Sequence, residues 1–433
     1  MKDISIGLVG AGTVGGGVVK VLSKRLDFFR NELGLPLRLA RIADKQISRF
    51  KELPVGDAVC TASADDILND DSIQIVIELV GGKGFAFDLI MEALRRKKHV
   101  ITANKALIAE RGPEIFECAG KNGVSVYFEA SVGGGMPVIK AIREGLIGNN
   151  IFSVKTIING TCNYILTKMT VDGLPFADVL KEAQAKGYAE ADPTLDIEGG
   201  DSGHKAAILA SLISDGYVPF EKVYREGITA ISAEDIRFAS ELGYTIKLLG
   251  VIKKNNSDDQ LDVRVHPAML HDDHILASVS NVYNAVLLEG DSVGQILLYG
   301  RGAGELPTAS AVVSDIIDAA RNISASSPVR VPMSYYSKSK EITVKQIDTI
   351  TSRYYLRFTV VDQPGVLASI TSELGKHGIS IASVMQKEGY EDSSVPVIIL
   401  THLASEKGIK DSVAGIEKMS FIKDKTQIIR IES

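Results

Sequence analysis

The sequence predicts an α/β protein in which a parallel, helix-covered sheet is followed by an α+β region and a C-terminal βαββαβ unit. Three observations lead to this fold class. Short apolar runs alternate with helical patterns through the first third of the chain, which is typical of parallel sheets. Strand and helix patterns then follow one another as far as about residue 300. Residues 350–433 read as strand, helix, strand, strand, helix and strand, the order of a ferredoxin-like unit.

Composition limits the class of protein. The chain has 433 residues, of which 45% are hydrophobic and 24% charged, as expected for a soluble globular protein of two to four domains. A formal charge of −6 argues against nucleic-acid binding. No apolar run is long enough to span a membrane. Three scattered cysteines, at Cys60, Cys118 and Cys162, form no disulfide or zinc pattern and indicate a reducing, cytoplasmic location.

The N-terminal strand from Ile4 to Gly10 runs directly into a glycine motif, GAGTVG, and then into a helical pattern. A GxGxxG motif between a strand and a helix is typical of a Rossmann-like dinucleotide-binding domain, here assigned to residues 1–130. Its glycines allow backbone N–H groups to approach a pyrophosphate. The predicted cofactor contacts in the motif are Gly10, Ala11, Gly12, Thr13 and Val14.

The second strand, Leu37–Ala43, ends near the position that contacts the adenosine ribose. An acidic residue there favours NAD, and an arginine favours NADP. Arg41, Lys45 and Arg49 accompany Asp44, so the basic side chains outnumber the acid and slightly favour NADP, with Arg41 as the predicted phosphate contact. Both cofactors stay open, and Arg49 also fits a solvated helix residue.

Further strands at 73–78, 99–102 and 124–128 end in polar or glycine-rich segments. The carboxyl ends of the strands form the ligand crevice of such a sheet. Thr102 and Lys105 follow the strand at 99–102 and are therefore predicted cofactor contacts. An exposed lysine at the start of a helix is an equally good interpretation of Lys105.

Residues 131–321 are assigned to a substrate and dimerisation domain. Another glycine-rich segment, Glu129–Pro137, lies across the boundary with the first domain. A carboxylate among free backbone carbonyls can bind a hard cation, although such a loop more often only lets a helix approach a strand. Near the end of this domain, Gly300–Gly304 precedes a helix. We expect this helix to pack back on the first domain and to bring Gly302 near the cofactor.

The densest cluster of acidic residues lies between Gly187 and Lys205, in a glycine-rich loop that leads into an almost wholly apolar helix. Asp201 and Lys205 are four residues apart and so share one helix face. A pair of this kind is usually solvated. A helix that is apolar nearly all round is buried, however, and a buried lysine must be paired or functional. The sequence therefore favours a site here.

Several motifs together resemble the homoserine dehydrogenase family. They are GLVGAGTVG, ELVGG, TANKALIA, EASVGGGMPVI, NGTCNYIL, GYAEADPTLDIEGGDSGHKAAIL and GRGAGELPTASAVVSDI, in this order. The resemblance covers roughly the first three-quarters of the chain. It implies reversible NAD(P)H-dependent reduction of L-aspartate 4-semialdehyde to L-homoserine, a step of threonine, methionine and isoleucine biosynthesis.

The resemblance also implies roles for individual residues. Lys205 matches the family's proton donor and acceptor, with Asp201 and Lys105 as further catalytic residues. The implied substrate contacts are Gly187, Glu190, Asp196 and Asp201. Glu129, with the backbone at Val132, Gly134 and Met136, matches a structural sodium site. Cys162 stands where the family more often has threonine, which makes a catalytic role for it doubtful.

The tail, residues 350–433, is similar to an ACT domain, a module that binds small amino acids. Asp362-Gln-Pro-Gly365 occupies its first strand–helix turn, and the predicted effector contacts are Asp362, Gly365, Val366 and Leu367. Threonine is the expected effector, and a homodimer or homotetramer the expected assembly. A dimerisation lobe without a ligand is the alternative. Residues 322–349 read as a polar linker that few contacts should cross, so that the tail would be separable.

Two other functions remain possible at this stage. An aldehyde-oxidising dehydrogenase would use Cys162 as a thiolate nucleophile. A non-catalytic amino-acid or redox sensor would use the nucleotide fold without turnover. The combination of Glu190, Asp201 and Lys205 argues against the sensor, and turnover that survives thiol alkylation would exclude the Cys162 mechanism.

Overall fold

A computed structural model describes residues 3–254, 260–327, 329–331, 342–386 and 394–433 of the chain. Residue 328 and residues 332–341 of the predicted linker lie outside the described residues. The helices in the described part are α1 (Thr13–Asn31), α2 (Asp65–Leu68), α3 (Phe85–Arg95), α4 (Lys105–Asn122), α5 (Val138–Lys140), α6 (Gly160–Asp172), α7 (Phe176–Ala185), α8 (Thr194–Ile197), α9 (Gly200–Ser214), α10 (Ala233–Glu241), α11 (Glu305–Ser324), α12 (Val366–Lys376) and α13 (Glu406–Ile416).

The strands in the described part are β1 (Ile4–Val9), β2 (Leu37–Ala43), β3 (Val59–Thr61), β4 (Ile73–Glu78), β5 (His99–Thr102), β6 (Val126–Tyr127), β7 (Ile151–Ile157), β8 (Tyr224–Arg225), β9 (Tyr244–Lys254), β10 (Gln260–His271), β11 (Tyr283–Gly290), β12 (Gly294–Arg301), β13 (Thr343–Val344), β14 (Thr351–Val360), β15 (Ile381–Gln386), β16 (Val395–Thr401), β17 (Ala404–Ser405) and β18 (Gln427–Glu432). Within the same residues, no helix is both long and apolar enough to cross a membrane.

The first sheet is parallel throughout and has the strand order β3-β2-β1-β4-β5-β6. This is the doubly wound order of dinucleotide-binding folds, in which ligands bind where the order reverses, between β1 and β4. The predicted α/β class and the parallel sheet are confirmed. Strand β6 is shorter than the sequence predicts, because the chain turns into a short 3₁₀ segment at Glu129.

The second sheet joins the middle of the chain to the tail. Its order is β12-β11-β7-β9-β10-β18-β14-β16-β15, so that β18 of the tail lies beside β10 of the middle region. Strands β18, β14, β16 and β15 are antiparallel neighbours, with α12 and α13 packed against each other. The predicted α+β region and the ferredoxin-like βαββαβ tail are both confirmed.

Two helices bring the two sheets together. Every residue of α9 from Asp201 to Ser214 is buried, and the helix packs on β9, β10 and α4. Helix α11 returns to the first sheet and packs along α1. Gly17 allows this approach, because a Cβ there would lie 2.8 Å from the backbone oxygen of Glu305. The site region is thus enclosed by elements from distant parts of the sequence.

Buried charges fasten the tail to the middle region. Arg264 on β10 binds Glu432 on β18, and both side chains are almost inaccessible. Arg357 on β14 donates to both carboxylate oxygens of the fully buried Asp235 on α10. The expectation that few contacts cross to the tail is therefore wrong. A chain cut in the linker would lose β18 and leave buried ionic groups without partners, which is strongly destabilising.

Candidate active site

The glycine turn after β1 has the geometry of a phosphate cradle. Gly10 has a φ of 98°, which favours glycine, and a Cβ at Gly15 would lie 1.9 Å from the carbonyl oxygen of Gly10. Gly12 is the N-cap of α1, whose first turn contains no acidic residue. Free N–H groups at the positive end of a helix suit a pyrophosphate. The residues present therefore fit a dinucleotide, with Thr13 exposed and Val14 partly exposed at the turn.

One side of this turn opens into a crevice that also contains Asp44, Lys45, Gln46, Arg49 and Phe85. The Asp44 carboxylate accepts the N–H of Ala11 at 2.7 Å and binds Arg49 at 3.0 Å. Burial opposes its ionisation, but the N–H groups of Gln46 and Ala11 and the guanidinium of Arg49 lower the pKa of the Asp44 carboxyl. The N–H of Ala11 thus holds the turn and is not available to a phosphate.

Arg41 lies elsewhere. Its Nε donates to Asp70, 2.8 Å away, in the segment that leads into the amino end of β4. The ion pair with Asp70 holds the Arg41 side chain away from the crevice. The sequence alone does not identify Asp70 as the partner of Arg41. Arg49 therefore lines the crevice beside the glycine turn, and Arg41, the predicted phosphate contact, does not.

Thr102 does not line either of the pockets at this end of the sheet. It is fully buried, and its hydroxyl donates to the Glu78 carboxylate at 2.6 Å and accepts from the N–H of Asn104. Glu78 also accepts the N–H groups of Val80 and Gly81. The two residues hold the loops at the ends of β4 and β5, and the neighbouring Ala103 lines the pocket instead.

A second pocket, which we call the junction pocket, lies between the two sheets. It contains groups from both: Val14, Ala103, Lys105, Ser131, Gly134, Asn159, Gly160, Thr161, Gly187, Tyr188, Glu190, Asp196, Asp201, Lys205, Asn284, Gly302 and Thr308. The pocket contains three of the predicted cofactor contacts, Val14, Lys105 and Gly302, together with all the residues predicted to bind substrate. The ends of α1, α4, α6, α9 and α11 thus converge on one cavity.

Asp201 is the centre of this pocket. Its Oδ1 lies 2.9 Å from the Lys105 ammonium, and its Oδ2 accepts from Lys205 at 2.8 Å and from Asn159 at 2.8 Å. Lys205 also donates to the carbonyl of Ile158 at 2.6 Å. Asp201 is 4% exposed and Lys205 9% exposed, so the solvated-pair interpretation is wrong for this structure.

The charges in this group depend on one another. Burial alone would raise the pKa of the Asp201 carboxyl, but Lys205, Lys105 and the hydrogen bonds from Lys205 and Asn159 hold it well below its usual value. Attraction to Asp201 raises the pKa of the Lys105 ammonium against the opposing effect of burial. Lys205 has three N–H donors, of which two serve Ile158 and Asp201 in the described structure. The third is available to a ligand.

Sequence reasoning missed Asn159 and Thr161, although the NGT motif was visible. Asn159 caps α6 through the N–H of Cys162, and its amide nitrogen bridges Asp196 and Asp201 at 2.7 and 2.8 Å. Thr161 donates to the carbonyl of Tyr188. An asparagine before a helix is a common N-cap, so its second role gave no separate signal.

Glu190 and Gly187 lie on the open side of the pocket. Gly187 has a φ of 73° and follows the C-cap of α7, with its N–H bonded to the carbonyl of Gln184. Glu190 is exposed, and its charge acts on Lys105. Among the described residues, no ion pair involves the Glu190 carboxylate, so this group is available to a cationic ligand.

Cys162 is unsuited to nucleophilic catalysis. It is fully buried, and its Sγ contacts the carbonyl of Asp196 at 3.2 Å. Burial, with the nearby Asp196 and Asp201 carboxylates, raises the pKa of its thiol well above the usual value. A protonated, inaccessible thiol cannot attack an aldehyde. The Cys162-dependent alternative is therefore not supported.

The second glycine-rich segment is built around Glu129. This buried carboxylate accepts the N–H groups of Ile139 and Lys140, each at 2.8 Å. Burial raises its pKa to about 7 despite those bonds. Gly134 has a φ of 56° and packs directly on Gly302, since a Cβ there would lie 2.4 Å from the Gly302 carbonyl. This segment therefore supports the wall of the junction pocket.

The predicted effector contacts lie far along the chain, at the start of α12. Gly365 is the N-cap of this helix with a φ of 89°. Asp362, Gly365 and Leu367 are exposed and Val366 is buried. Gln386 on β15 donates to Asp362 at 3.4 Å. A small acidic or zwitterionic ligand would find N–H groups of a helix end and one carboxylate here.

Comparison with known proteins gives a consistent result. Residues 10–129 match the family model for the homoserine dehydrogenase NAD binding domain, residues 137–317 that for homoserine dehydrogenase, and residues 354–417 that for the ACT domain. The chain is 44% identical to a homoserine dehydrogenase of Neisseria gonorrhoeae, over 100% of this chain and 99% of that protein.

Solved structures agree. The crystal structure of a homoserine dehydrogenase from Thiobacillus denitrificans has 43% identity and a TM-score of 0.94, covering 100% of this chain and 99% of that one. A hyperthermophilic archaeal homoserine dehydrogenase in complex with NADPH has 28% identity and a TM-score of 0.63, covering 74% of this chain and 98% of that one.

The geometry of Asp201 leads to a prediction about Lys105. Asp201→Asn keeps the side-chain size but removes the charge, and attraction to that charge is the largest cause of the raised Lys105 pKa, whereas burial lowers it. We expect Lys105 to lose its proton at lower pH in the variant. The pH dependence of Lys105 acylation, followed by mass spectrometry, measures this change.

Asp196→Asn is the matched control, because Asp196 raises the Lys105 pKa less than Asp201 does. An Asp201→Asn variant with an unchanged Lys105 titration would show that this carboxylate does not control the lysine.

Proposed function

The chain belongs to the homoserine dehydrogenase family, and we propose that Lys205 is the acid and base of its reaction and that Asp201 positions it. The enzyme reversibly reduces L-aspartate 4-semialdehyde to L-homoserine with NAD(P)H. When bound, the nicotinamide supplies or accepts the hydride. The single observation that carries the proposal is the buried Asp201 carboxylate, with one lysine ammonium on each oxygen.

Reduction turns the aldehyde oxygen into an alkoxide that needs a proton. The third N–H of Lys205 is available for this transfer, while Asp201 and Ile158 fix the direction of the amine. In the oxidation, neutral Lys205 takes the proton of the hydroxyl. Lys105 stays protonated beside Asp201 and stabilises negative charge that develops on the same oxygen.

We assign the substrate ammonium to Glu190 rather than to Asp201. The resemblance implied both carboxylates, but three donors already bind the Asp201 oxygens. Glu190 lines the same pocket with an exposed carboxylate. Asp196 and Gly187 then shape the pocket, and Asp196 is itself held by Asn159 and Thr161.

Glu129 and the carbonyls of Val132, Gly134 and Met136 would hold a sodium ion. The donor set is oxygen only and includes one buried carboxylate, which fits a hard cation. A cation would favour the ionised form of Glu129 and stabilise the loop against Gly302. Thermal unfolding in sodium chloride and in choline chloride at equal ionic strength measures that contribution.

We also propose self-association. Strand β12 ends the second sheet, and its partner among the described strands is β11. Tyr299 on β12 is exposed, with its ring stacked on Tyr283. An edge strand with exposed aromatic side chains is a ready surface for a second copy. Sedimentation equilibrium distinguishes a dimer or tetramer from a monomer.

The unpaired Cys60, Cys118 and Cys162 are consistent with a reducing cytoplasm.

The first prediction from this proposal concerns Lys205. Lys205→Ala should lower kcat on the order of 10²–10⁴-fold, which is the usual contribution of a positioned acid or base, and leave NADPH binding largely intact. Steady-state homoserine oxidation and NADPH fluorescence titration measure the two quantities. Retention of more than about a tenth of wild-type kcat would contradict the assignment, because that loss is under ~1.4 kcal/mol.

The second prediction concerns cofactor choice, with NADP the proposed preference. Arg49→Ala should raise the KM for NADP more than that for NAD, because only NADP carries a 2′-phosphate for the guanidinium to bind. Arg41→Ala is the matched control, since Arg41 is paired with Asp70 away from the crevice. Equal changes for both cofactors in Arg49→Ala, or a larger NADP effect in Arg41→Ala, would reverse the assignment.

The third prediction concerns regulation through the ACT domain, with threonine as the proposed effector. Asp362→Ala should weaken threonine inhibition roughly 10-fold or more, because the exposed Asp362 lies three residues before Gly365, the N-cap of α12, and would bind the effector's ammonium group. Initial rates across a threonine titration measure this. Glu373→Gln on the same helix serves as the control. If the inhibition is unchanged in Asp362→Ala, the effector binds elsewhere.

A further inference from the structure

The tail ends beside the segment that supports the active-site turn. Residues 226–229, which we call the connecting segment, follow β8 and lie between β18 of the tail and the turn 196–201. The turn contains Asp196 and leads into α9, where Asp201 lies in the first helical turn. The connecting segment therefore lies directly between the C-terminal strand and the turn that carries the catalytic charges.

The contact between the connecting segment and the turn is tight. A Cβ at Gly227 would lie 2.2 Å from the carbonyl oxygen of Ile197 and 2.6 Å from the Cα of Glu198. The N–H of Ile228 donates to the same Ile197 carbonyl at 2.8 Å. Thr229 donates its hydroxyl to the Glu198 carboxylate at 3.1 Å. A shift of the segment must therefore move the turn as well.

On its other side, the segment is held by an ion pair with the tail. Arg430 on β18 donates to the Glu226 carboxylate at 2.8 Å, and the Tyr224 hydroxyl donates to the same oxygen at 3.0 Å. The Arg430 side chain is 3% exposed and that of Glu226 33% exposed. Arg430 is itself fixed by Glu406 on α13. The guanidinium is thus a rigid anchor, and Glu226 is the group that binds to it.

We propose that Glu226 is a positioning residue for the reaction, through which Arg430 of the tail holds the turn that places Asp196 and Asp201. The proposal rests on the proposed role of that turn in the active site. In this proposal the contact between Arg430 on the C-terminal strand and Glu226 in the middle region supports catalysis. Glu226 touches neither substrate nor cofactor and acts through the backbone of residues 227 and 228.

The test is Glu226→Gln in the full-length enzyme. This variant removes the charge that binds Arg430 but keeps the side-chain size, and Arg430 keeps its bonds to Glu406. We expect kcat/KM for homoserine to fall roughly 10-fold, because small displacements of catalytic groups are costly, while the dissociation constant for NADPH stays within about twofold. Glu221→Gln makes the same chemical change on a nearby exposed side chain and should leave both values unchanged.

Two further measurements separate positioning from general destabilisation. Thr229→Val removes the other side-chain bond between the segment and the turn and should lower the same kcat/KM without changing NADPH affinity. In an Arg430→Lys background, Glu226→Gln should have a smaller effect than alone, since coupled residues are not additive.

Glu226→Gln with homoserine kcat/KM within twofold of wild type, or with an equal loss of NADPH affinity, overturns the proposal. Its failure is distinguishable from failure of the acid–base assignment. An active Lys205→Ala enzyme would contradict the role of Lys205 but leave the comparison of Glu226→Gln with Glu221→Gln valid.

Discussion

The active site depends on one buried carboxylate. Asp201 binds Lys105 from the first domain and Lys205 from its own helix, one on each carboxylate oxygen, and so holds two lysine side chains close together. Taking three charges out of water is costly unless each is paired and hydrogen-bonded. Here Asn159 and the Ile158 carbonyl complete the set. The same carboxylate thereby links α9 to α4 and orients the proposed proton donor.

A second group of buried charges explains why the tail cannot be treated as an appendage. Arg264 with Glu432 and Arg357 with Asp235 join elements of the tail to elements of the middle region that are distant in sequence. Each pair contains an arginine, whose planar guanidinium can satisfy several acceptors at once. Such pairs add specificity to the docking of β18 beside β10. They also make the C-terminal strand part of the sheet that supports α9.

Much of the fold could be predicted from the sequence, because its signals are local. The GAGTVG turn, the strand–helix alternation and the order of the tail elements all depend on neighbouring residues. Asp201 and Lys205 could be paired for the same reason, being one helical turn apart. The partners that the sequence did not identify lie farther away in the sequence. They are Asp70 for Arg41, Glu78 for Thr102, and β10 for β18. A sequence pattern indicates that a charged side chain needs a partner but does not identify it.

The polar linker is a second case in which local composition does not identify contacts between distant residues. Polar, proline-containing composition predicts a connection over residues 322–349, but it says nothing about contacts made by the elements that the connection joins. Arg430 follows the end of the linker by about 80 residues and still reaches Glu226, next to the active-site turn. Regulation through the tail therefore does not require a signal along the linker. An effector acts only by binding differently to two arrangements of the protein, and a rearrangement of β18 would move Arg430, which lies on that strand.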